Sequence, residues 1–185
     1  DVYKRQARNR FPEHAAPRRT MWFWLYALSA IAMSFLPLVA LFVAAAFVLW
    51  LVPVDAPLLA LPIAAAGGLV AFATYAALTW LSVRLLSAGL KPGVVAVRSL
   101  SGWRVWAVER LMDSARTQLF PMYAAQLTPV WFRSLGAKVG KDAEISTAVM
   151  VPRFAEVREG AFLADDTMVG GYELGGGGWM LTGNT

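Results

Sequence analysis

Long uncharged stretches dominate the first half of the chain. Residues 21–54 contain no charged side chain, and after Asp55 the uncharged pattern resumes over residues 56–83. Each stretch exceeds the ~20 residues that a helix needs to cross the hydrocarbon core of a bilayer. The pattern therefore predicts a transmembrane helical hairpin over residues 21–84. A pair of buried helices in a large soluble core is the alternative explanation.

Basic residues flank the predicted hairpin on both sides, whereas the turn between its helices carries only an acid. They are Arg8, Arg10, Arg18 and Arg19 before the hairpin and Arg84, Lys91, Arg98, Arg104 and Arg110 after it. Loops on the cytoplasmic side of a membrane carry an excess of Lys and Arg, so we expect both ends of the hairpin to face the cytoplasm. The interpretation is a multi-pass protein of the inner (cytoplasmic) membrane, with membrane lipid as a partner.

The segments around the hairpin have separate interpretations. Residues 1–6 (DVYKRQ) look like a translated sequencing adapter, and we interpret them as a scar. Residues 7–20 contain prolines and no apolar period, which predicts a linker whose His14 has no assigned role. Residues 85–136 predict a juxtamembrane helical connector, in which residues 103–119 form an amphipathic helix. That helix lies either at the membrane interface or packed on its neighbours.

Aliphatic residues recur at every sixth position in the last part of the chain. They are Val139, Ile145, Val151, Val157, Leu163 and Val169. On an α-helix six residues rotate through about 600°, so these side chains would share no face. A straight strand of this length would run ~100 Å, far beyond normal strands. The chain must therefore bend regularly, with one short strand for every six residues.

Three such strands close a triangular coil, which predicts the start of a left-handed parallel β-helix of hexapeptide repeats over residues 137–185. Small or β-branched residues follow four positions later, where they fit near the corners: Ala143, Val149, Ala155, Ala161 and Thr167. The nine charged residues between positions 139 and 169 fall elsewhere. The predicted fold class is membrane α plus β. Fewer than two coils are present, so we expect the β-helix to be incomplete and to continue beyond residue 185.

Composition excludes several kinds of chemistry. The chain has no cysteine, which removes thiolate metal sites and a cysteine nucleophile. The net charge of +5 is spread singly between apolar stretches, so nucleic acid is not an expected partner. Residues 136–141 and the glycines at 175–178 lack the spacing and the Lys-Ser/Thr pair of a phosphate-binding loop. We therefore predict no metal site and no cofactor-binding residue in this chain.

Four short motifs accompany the hairpin and the repeats. They are LTP at 127–129, LGAKVG at 135–140, ADD at 164–166 and GGYEL at 170–174. In this order the elements resemble the C-terminal membrane domain of ε-poly-lysine-synthetase-type nonribosomal peptide synthetases, from about residue 17 to residue 185. The resemblance implies an acyltransferase-like fragment of a ligase. It also implies upstream adenylation and carrier domains as partners, with ATP and phosphopantetheine bound there.

The activity implied by this resemblance is amide-bond formation between carrier-bound aminoacyl groups and a free amine, or release of the product, at the cytoplasmic membrane face. Two alternatives stay open. One is a noncatalytic membrane anchor that serves oligomerisation or export, since hexapeptide-repeat proteins are often homo-oligomers. The other is a stand-alone membrane acyltransferase with hexapeptide repeats.

Amide formation needs a base for the amine. Hexapeptide acetyltransferases typically use a histidine, and the repeats contain none. Asp165, Asp166 and Glu173 are the acids beside the break in the repeats, which makes them candidates for binding a cationic amine. The alternative is that they are solvated turn acids, as surface carboxylates usually are. Whether this unit is itself catalytic is left open by its sequence.

Overall fold

The computed structural model describes residues 11–17, 19–52, 57–124 and 126–183. The adapter-like residues 1–6, the first part of the linker and the turn at Asp55 lie outside the described residues. The helices in the described part of the chain are α1 (Thr20–Ser34), α2 (Leu36–Leu51), α3 (Ala60–Ser87), α4 (Leu100–Gln118), α5 (Phe120–Tyr123) and α6 (Thr128–Leu135). The strands are β1 (Gly93–Ala96), β2 (Lys138–Val139), β3 (Glu144–Ile145), β4 (Val149–Met150), β5 (Glu156–Val157), β6 (Phe162–Leu163), β7 (Met168–Val169), β8 (Tyr172–Leu174) and β9 (Trp179–Thr182).

Two helical segments are long and apolar enough to cross a membrane. The first is Thr20–Leu51, with a mean hydropathy of 2.5, and the second is α3, with a mean hydropathy of 1.7. Only 11% of the most apolar window of each segment is buried within the chain. A core helix of a soluble protein would be mostly buried. The exposed apolar sides suit lipid contact, while the inner-membrane location and the orientation stay predictions.

The first apolar segment is interrupted at Phe35, where α1 ends and α2 begins. Pro37 occupies the first turn of α2. Proline has no N–H and its ring clashes with the preceding turn, so it is tolerated at a helix start and breaks a helix interior. The position of Pro37 therefore accounts for two stacked helices in place of one straight helix.

Small residues bring α2 and α3 close together. Ala40 and Ala44 of α2 are buried, as is Gly67 of α3. A Cβ atom at Gly67 would lie 2.5 Å from Cγ2 of Val48, which leaves no room for a side chain there. Backbones that approach this closely gain packing contacts without needing a hydrophobic driving force between helices.

Helix α4 packs on its neighbours, and a location at the membrane interface stays a prediction. Ser99 caps the helix, and its hydroxyl oxygen accepts a hydrogen bond of 3.2 Å from the backbone N–H of Gly102. The indole of Trp103 donates to Ser29 Oγ over 3.0 Å, and Trp106 meets Tyr26 edge to face. Both tryptophans therefore contact side chains of α1.

The hexad region forms three pairs of short parallel strands. Val139 of β2 lies opposite Val157 of β5, and Ile145 of β3 lies opposite Leu163 of β6, both with a register of eighteen residues. In the third pair Met150 of β4 lies opposite Val169 of β7, a register of nineteen. The 3₁₀ turn Pro152–Phe154 occupies the longer step between β4 and β5 and takes up the additional residue.

Burial in this region follows the six-residue period. The six aliphatic positions are buried or half-buried, and the nine charged residues between positions 139 and 169 are exposed. Among the described residues the parallel pairs stay two-stranded and do not close into a solenoid. The left-handed β-helix is therefore still a prediction.

An antiparallel sheet, in the order β1, β9, β8, connects the segment after the hairpin to the end of the described chain. The helical connector predicted over residues 85–136 did not include β1. Strand β1 pairs with β9, with Gly93 opposite Thr182, and it could not be predicted because pairing with such a distant strand leaves no local periodicity. Strand β1 is thus created by tertiary contact.

The described part of the linker lies against the glycine turn between β8 and β9. The backbone N–H of Ala16 donates to the carbonyl of Gly177 over 2.8 Å, and the indole of Trp179 donates to the carbonyl of His14 over 2.8 Å. A Cβ atom at Gly175 would lie 2.5 Å from the ring of Phe11. This turn therefore holds the linker in place. The sequence of the linker, including His14, gave no indication of this contact.

Candidate functional site

A groove separates helices α5 and α6 from the repeat strands. It consists of two adjoining cavities of about 570 and 680 Å³, which share Ala124 and Ser146 in their linings. Arg116, Thr147, Asp165 and Asp166 line the larger cavity, together with apolar side chains such as Phe120. The groove thus combines acids from the predicted set with one arginine from α4.

Asp166 is already paired within the chain. Its carboxylate accepts a short hydrogen bond from Arg116, which also donates to Asp113 over 3.1 Å. The backbone of Asp166 is left-handed, with φ of 56°, and its N–H donates to Thr147 Oγ1 over 3.0 Å. Aspartate tolerates this conformation better than most residues. The geometry therefore gives Asp166 a structural role in the turn.

Asp165 accepts hydrogen bonds from the hydroxyls of Ser146 and Thr147, the latter over 3.3 Å. These bonds stabilise the charged form, with the Ser146 hydroxyl the larger contributor, and lower the pKa of Asp165 below its usual range. The carboxylate is ionised at neutral pH and fully exposed. It attracts cations in the groove, but water screens that attraction strongly.

The structure does not bring the third predicted acid to this groove. Glu173 lies on β8, where it is exposed and pairs in register with Leu181 of β9. Neither cavity of the groove includes it in its lining. Of the three predicted site residues, the structure thus assembles Asp165 and Asp166 and separates Glu173 from them.

Apart from the two cavities of the groove, a smaller cavity lies where α4 meets the GGYEL break. We call it the Glu109 pocket. It has a volume of about 150 Å³, and it is lined by Glu109, Val149, Met150, Val151, Met168, Val169, Gly170, Gly171 and Tyr172. Glu109 is only 8% exposed. The phenol of Tyr172 donates to Oε2 of Glu109 over 2.7 Å. Burial of the phenol, and then its bond to this carboxylate, raise the pKa of Tyr172 to about 12.

The amphipathic pattern of residues 103–119 predicts that Glu109 lies on the polar, exposed face of α4, and this prediction is wrong because the side chain is buried. Helix α4 buries residues around most of its circumference, because α3, α1, β1 and β4 all pack against it. In the sequence, Tyr172 of the GGYEL motif was the residue that could have indicated a buried acceptor such as Glu109. A buried tyrosine hydroxyl needs a hydrogen-bond partner, although the sequence does not identify that partner.

Metal and cofactor sites need converging ligands. In the part of the chain that the structure describes, no group of three or more His, Asp or Glu side chains is placed to hold a metal ion. That ATP and phosphopantetheine bind to domains outside this chain stays a prediction. The described side chains around the cavities offer carboxylate, phenol and guanidinium groups.

Comparison with known proteins supports one relationship. A stretch of 92 residues is 39% identical to Delta-poly-L-ornithine synthetase of Acinetobacter baumannii (strain AB307-0294). This similarity is consistent with the poly-amino-acid synthetase family. The match covers 49% of this chain and 7% of that protein, so the chain spans a small fraction of its relative. No family model matches the sequence. No solved structure matches it either.

Proposed function

We propose that this chain is part of the membrane-tethered terminal domain of a poly-amino-acid synthetase of the nonribosomal, ε-poly-lysine-synthetase type. It acts in amide-bond formation, or in release of carrier-bound aminoacyl or peptidyl groups, at the cytoplasmic membrane face. The observation that carries the proposal is the 39% identity to Delta-poly-L-ornithine synthetase. Upstream adenylation and carrier domains, with ATP and phosphopantetheine, belong to the same proposal.

The proposed architecture joins a lipid tether to a left-handed β-helix. The two apolar segments supply the tether. The parallel registers of eighteen and nineteen residues support the start of such a β-helix, because a three-sided coil of six-residue sides repeats about every 18 residues. The end of α3 packs on α6, where the Trp80 indole donates to the Ser134 carbonyl over 3.2 Å. The tether therefore contacts the helix that leads into the repeats.

Amide formation makes specific demands on a site. The attacking nitrogen forms a bond to the thioester carbonyl carbon, the carbon–sulfur bond breaks, and the sulfur leaves as a thiolate on the carrier. The ammonium nitrogen gives up one proton before it attacks, because it has no free electron pair, and a second proton as the amide forms; one of them passes to the thiolate and the other to water. The amine must also be held beside the thioester, which a carboxylate that binds the ammonium group would do.

A specific observation favours a noncatalytic anchor or scaffold as the second candidate. The two predicted acids of the groove, Asp165 and Asp166, are bound by side chains of the same chain: Arg116, Ser146 and Thr147. An exposed ion pair of this kind contributes little energy and leaves little charge for a substrate. On this alternative the groove is a structural joint between α4 and the repeats, and chemistry occurs elsewhere in the synthetase.

The full-length synthetase separates the two candidates. Its carrier is charged with labelled amino acid and ATP, and the carrier-bound thioester and the released polymer are measured separately by mass spectrometry. We expect Asp165→Asn, which keeps the volume of the side chain and removes its charge, to leave loading unchanged and to lower polymer formation. If polymer forms at the unchanged rate, the charge in the groove takes no part in amide formation and the anchor or scaffold is favoured.

A further inference from the structure

Glu109 is the one carboxylate that is buried among the described residues. A buried carboxylate is unfavourable unless hydrogen bonds or a cation compensate for lost hydration. Tyr172 supplies one hydrogen bond, to Oε2. The guanidinium of Arg110 lies 3.8 Å from Oε1, but its side chain is 46% exposed, so water weakens that attraction. An ionised carboxylate has about four acceptor sites, and most of those on Glu109 remain open.

The Glu109 pocket is apolar beside this carboxylate. Val149, Met150 and Val151 line it, together with Met168 and Val169 of the strand that pairs with β4. A cavity of about 150 Å³ in an apolar environment accommodates a molecule the size of benzene. A straight chain of about four carbon atoms therefore fits against these residues, with a polar end group at Glu109.

We propose that the Glu109 pocket binds an aliphatic primary ammonium group. The carbon chain lies against the valine and methionine side chains, and the ammonium group donates hydrogen bonds to Glu109. Tyr172 holds the carboxylate in place as a positioning residue. This inference rests on the proposed function, for which it names the amine-binding site and its substrate class.

The contrast with the groove supports this choice of site. Asp166 is 81% exposed and bound to Arg116, so a substrate ammonium would have to displace an existing cation in water. At Glu109 the carboxylate is buried and its hydrogen-bond donor is a neutral phenol, while the Arg110 guanidinium lies 3.8 Å away and is largely hydrated. Charge-assisted hydrogen bonds are stronger where water is excluded. The buried site therefore favours ammonium over uncharged analogues, which the open groove would not.

The break in the repeats shapes the mouth of the pocket. Gly170 and Gly171 line it, and a Cβ atom at Gly171 would lie 3.2 Å from Cβ of Val151. The backbone can thus pass close to the strand below before Tyr172 turns toward α4. The GGYEL motif combines close backbone approach with the phenol that fixes Glu109, which gives the motif a role in forming the pocket.

The test uses n-butylammonium as the probe and n-butanol as its uncharged analogue, added to the full-length synthetase. Ligand-detected NMR measures binding, and the same preparations are assayed for carrier loading and polymer formation. We expect butylammonium to bind and butanol not to bind. Glu109→Gln, which keeps the shape and a hydrogen-bond acceptor, should weaken butylammonium binding at least 10-fold. The matched control Glu159→Gln removes an exposed carboxylate that lines neither the groove nor the Glu109 pocket. It should bind butylammonium as tightly as the unchanged protein does.

A second variant tests the pocket independently, in case Glu109→Gln does not fold. Met168 lines the pocket but is 66% exposed, so Met168→Trp should fold while it narrows the cavity, and it should weaken butylammonium binding with Glu109 intact. Unchanged binding in both variants overturns the inference. Loss of binding in Asp166→Asn, with Glu109→Gln unaffected, assigns the ammonium to the groove and also overturns it.

Two further measurements complete the test. The first identifies the source of the amine, and the second tests the pocket separately from the proposed function. If the carrier-bound chain supplies the ammonium group, the charged carrier should compete with butylammonium, whereas an uncharged carrier should not. Competition by the free amino acid alone identifies the free acceptor as the ligand. A synthetase that loads its carrier but forms no amide contradicts the proposed function even where butylammonium binds. Unchanged acceptor KM in Glu109→Gln, with amide formation intact, contradicts only the pocket.

Discussion

The phenol of Tyr172 donates a hydrogen bond of 2.7 Å to Oε2 of Glu109, across 63 residues of sequence. This bond joins the break that follows the repeats to the helix that follows the apolar hairpin. It also closes one end of a small apolar pocket. Two segments with no shared sequence pattern therefore depend on each other for hydrogen bonding.

Removal of this hydroxyl should destabilise the unit. Tyr172→Phe leaves a buried carboxylate without its donor, and a hydrogen bond to a charged group contributes about 1.5–3 kcal/mol. We expect a lower thermal unfolding midpoint for the detergent-solubilised synthetase. In a double-mutant cycle with Glu109→Met, which has no oxygen to accept the bond, the two losses should not add, because both variants remove the same interaction. Additive losses would contradict the coupling.

The pH dependence of the same bond has a defined sign. The pKa of Tyr172 is raised to about 12 in the folded chain, above the usual value of about 10 in unfolded protein. The neutral phenol is therefore favoured by folding, and its contribution is fully present below pH 10 and is lost as pH rises toward 12. Thermal unfolding at pH 9 and pH 11 should show a smaller alkaline decrease in Tyr172→Phe. An equal decrease in both proteins would show that other groups cause it.

Local periodicity explains why part of the fold could be predicted. Val139 and Val157 sit three hexads apart, and the structure places them opposite each other in parallel strands. The third pair departs by one residue, because β4 begins one residue early after β3 and the step that holds the 3₁₀ turn at Pro152 restores the count only before β5. A period thus predicts repeated geometry but not the place where a turn absorbs a residue.

The rest depended on contacts between distant residues. Glu109 has the sequence surroundings of a surface acid, and only the packing of α4 buries it. Asp165 and Asp166 were found by their place beside the break, although Arg116 could not be predicted as the partner of Asp166. The same limit applies to the linker, whose polar composition hides the contact of Phe11 with Gly175.

The linker contact can be tested with two adjacent glycines. Gly175→Ala puts a methyl group 2.5 Å from the Phe11 ring, so the ring must move and the linker should detach. Gly176→Ala is the matched control, because no atom lies within 4 Å of its added Cβ atom and its φ is not positive. Hydrogen–deuterium exchange at the Ala16 amide, which donates to Gly177, should rise in the first variant only. Equal exchange in both variants would mean that Phe11 does not hold the linker.

Membrane orientation can be tested at two positions. Asp55→Cys lies in the predicted turn, outside the described residues, and Lys91→Cys lies at an exposed position after α3. With both ends of the hairpin in the cytoplasm, a membrane-impermeant maleimide should label position 55 in intact cells. Position 91 should react only after the cells are opened. The reverse pattern would place the repeats outside the cytoplasm and remove their access to a charged carrier.

The parallel register of the repeats can be tested by cross-linking, since the chain contains no cysteine of its own. Glu144 and Phe162 are exposed and lie directly opposite each other in β3 and β6. Neighbouring strands are about 4.8 Å apart, within the range of Cα separations that a disulfide bridges. Glu144→Cys with Phe162→Cys should therefore oxidise readily, as detected by peptide mass spectrometry. The control pair Lys138→Cys with Phe162→Cys joins strands of different pairs and should stay reduced. Equal oxidation of both pairs would mean that the repeats are too mobile to hold a register, and the coil proposed for them would fail with it.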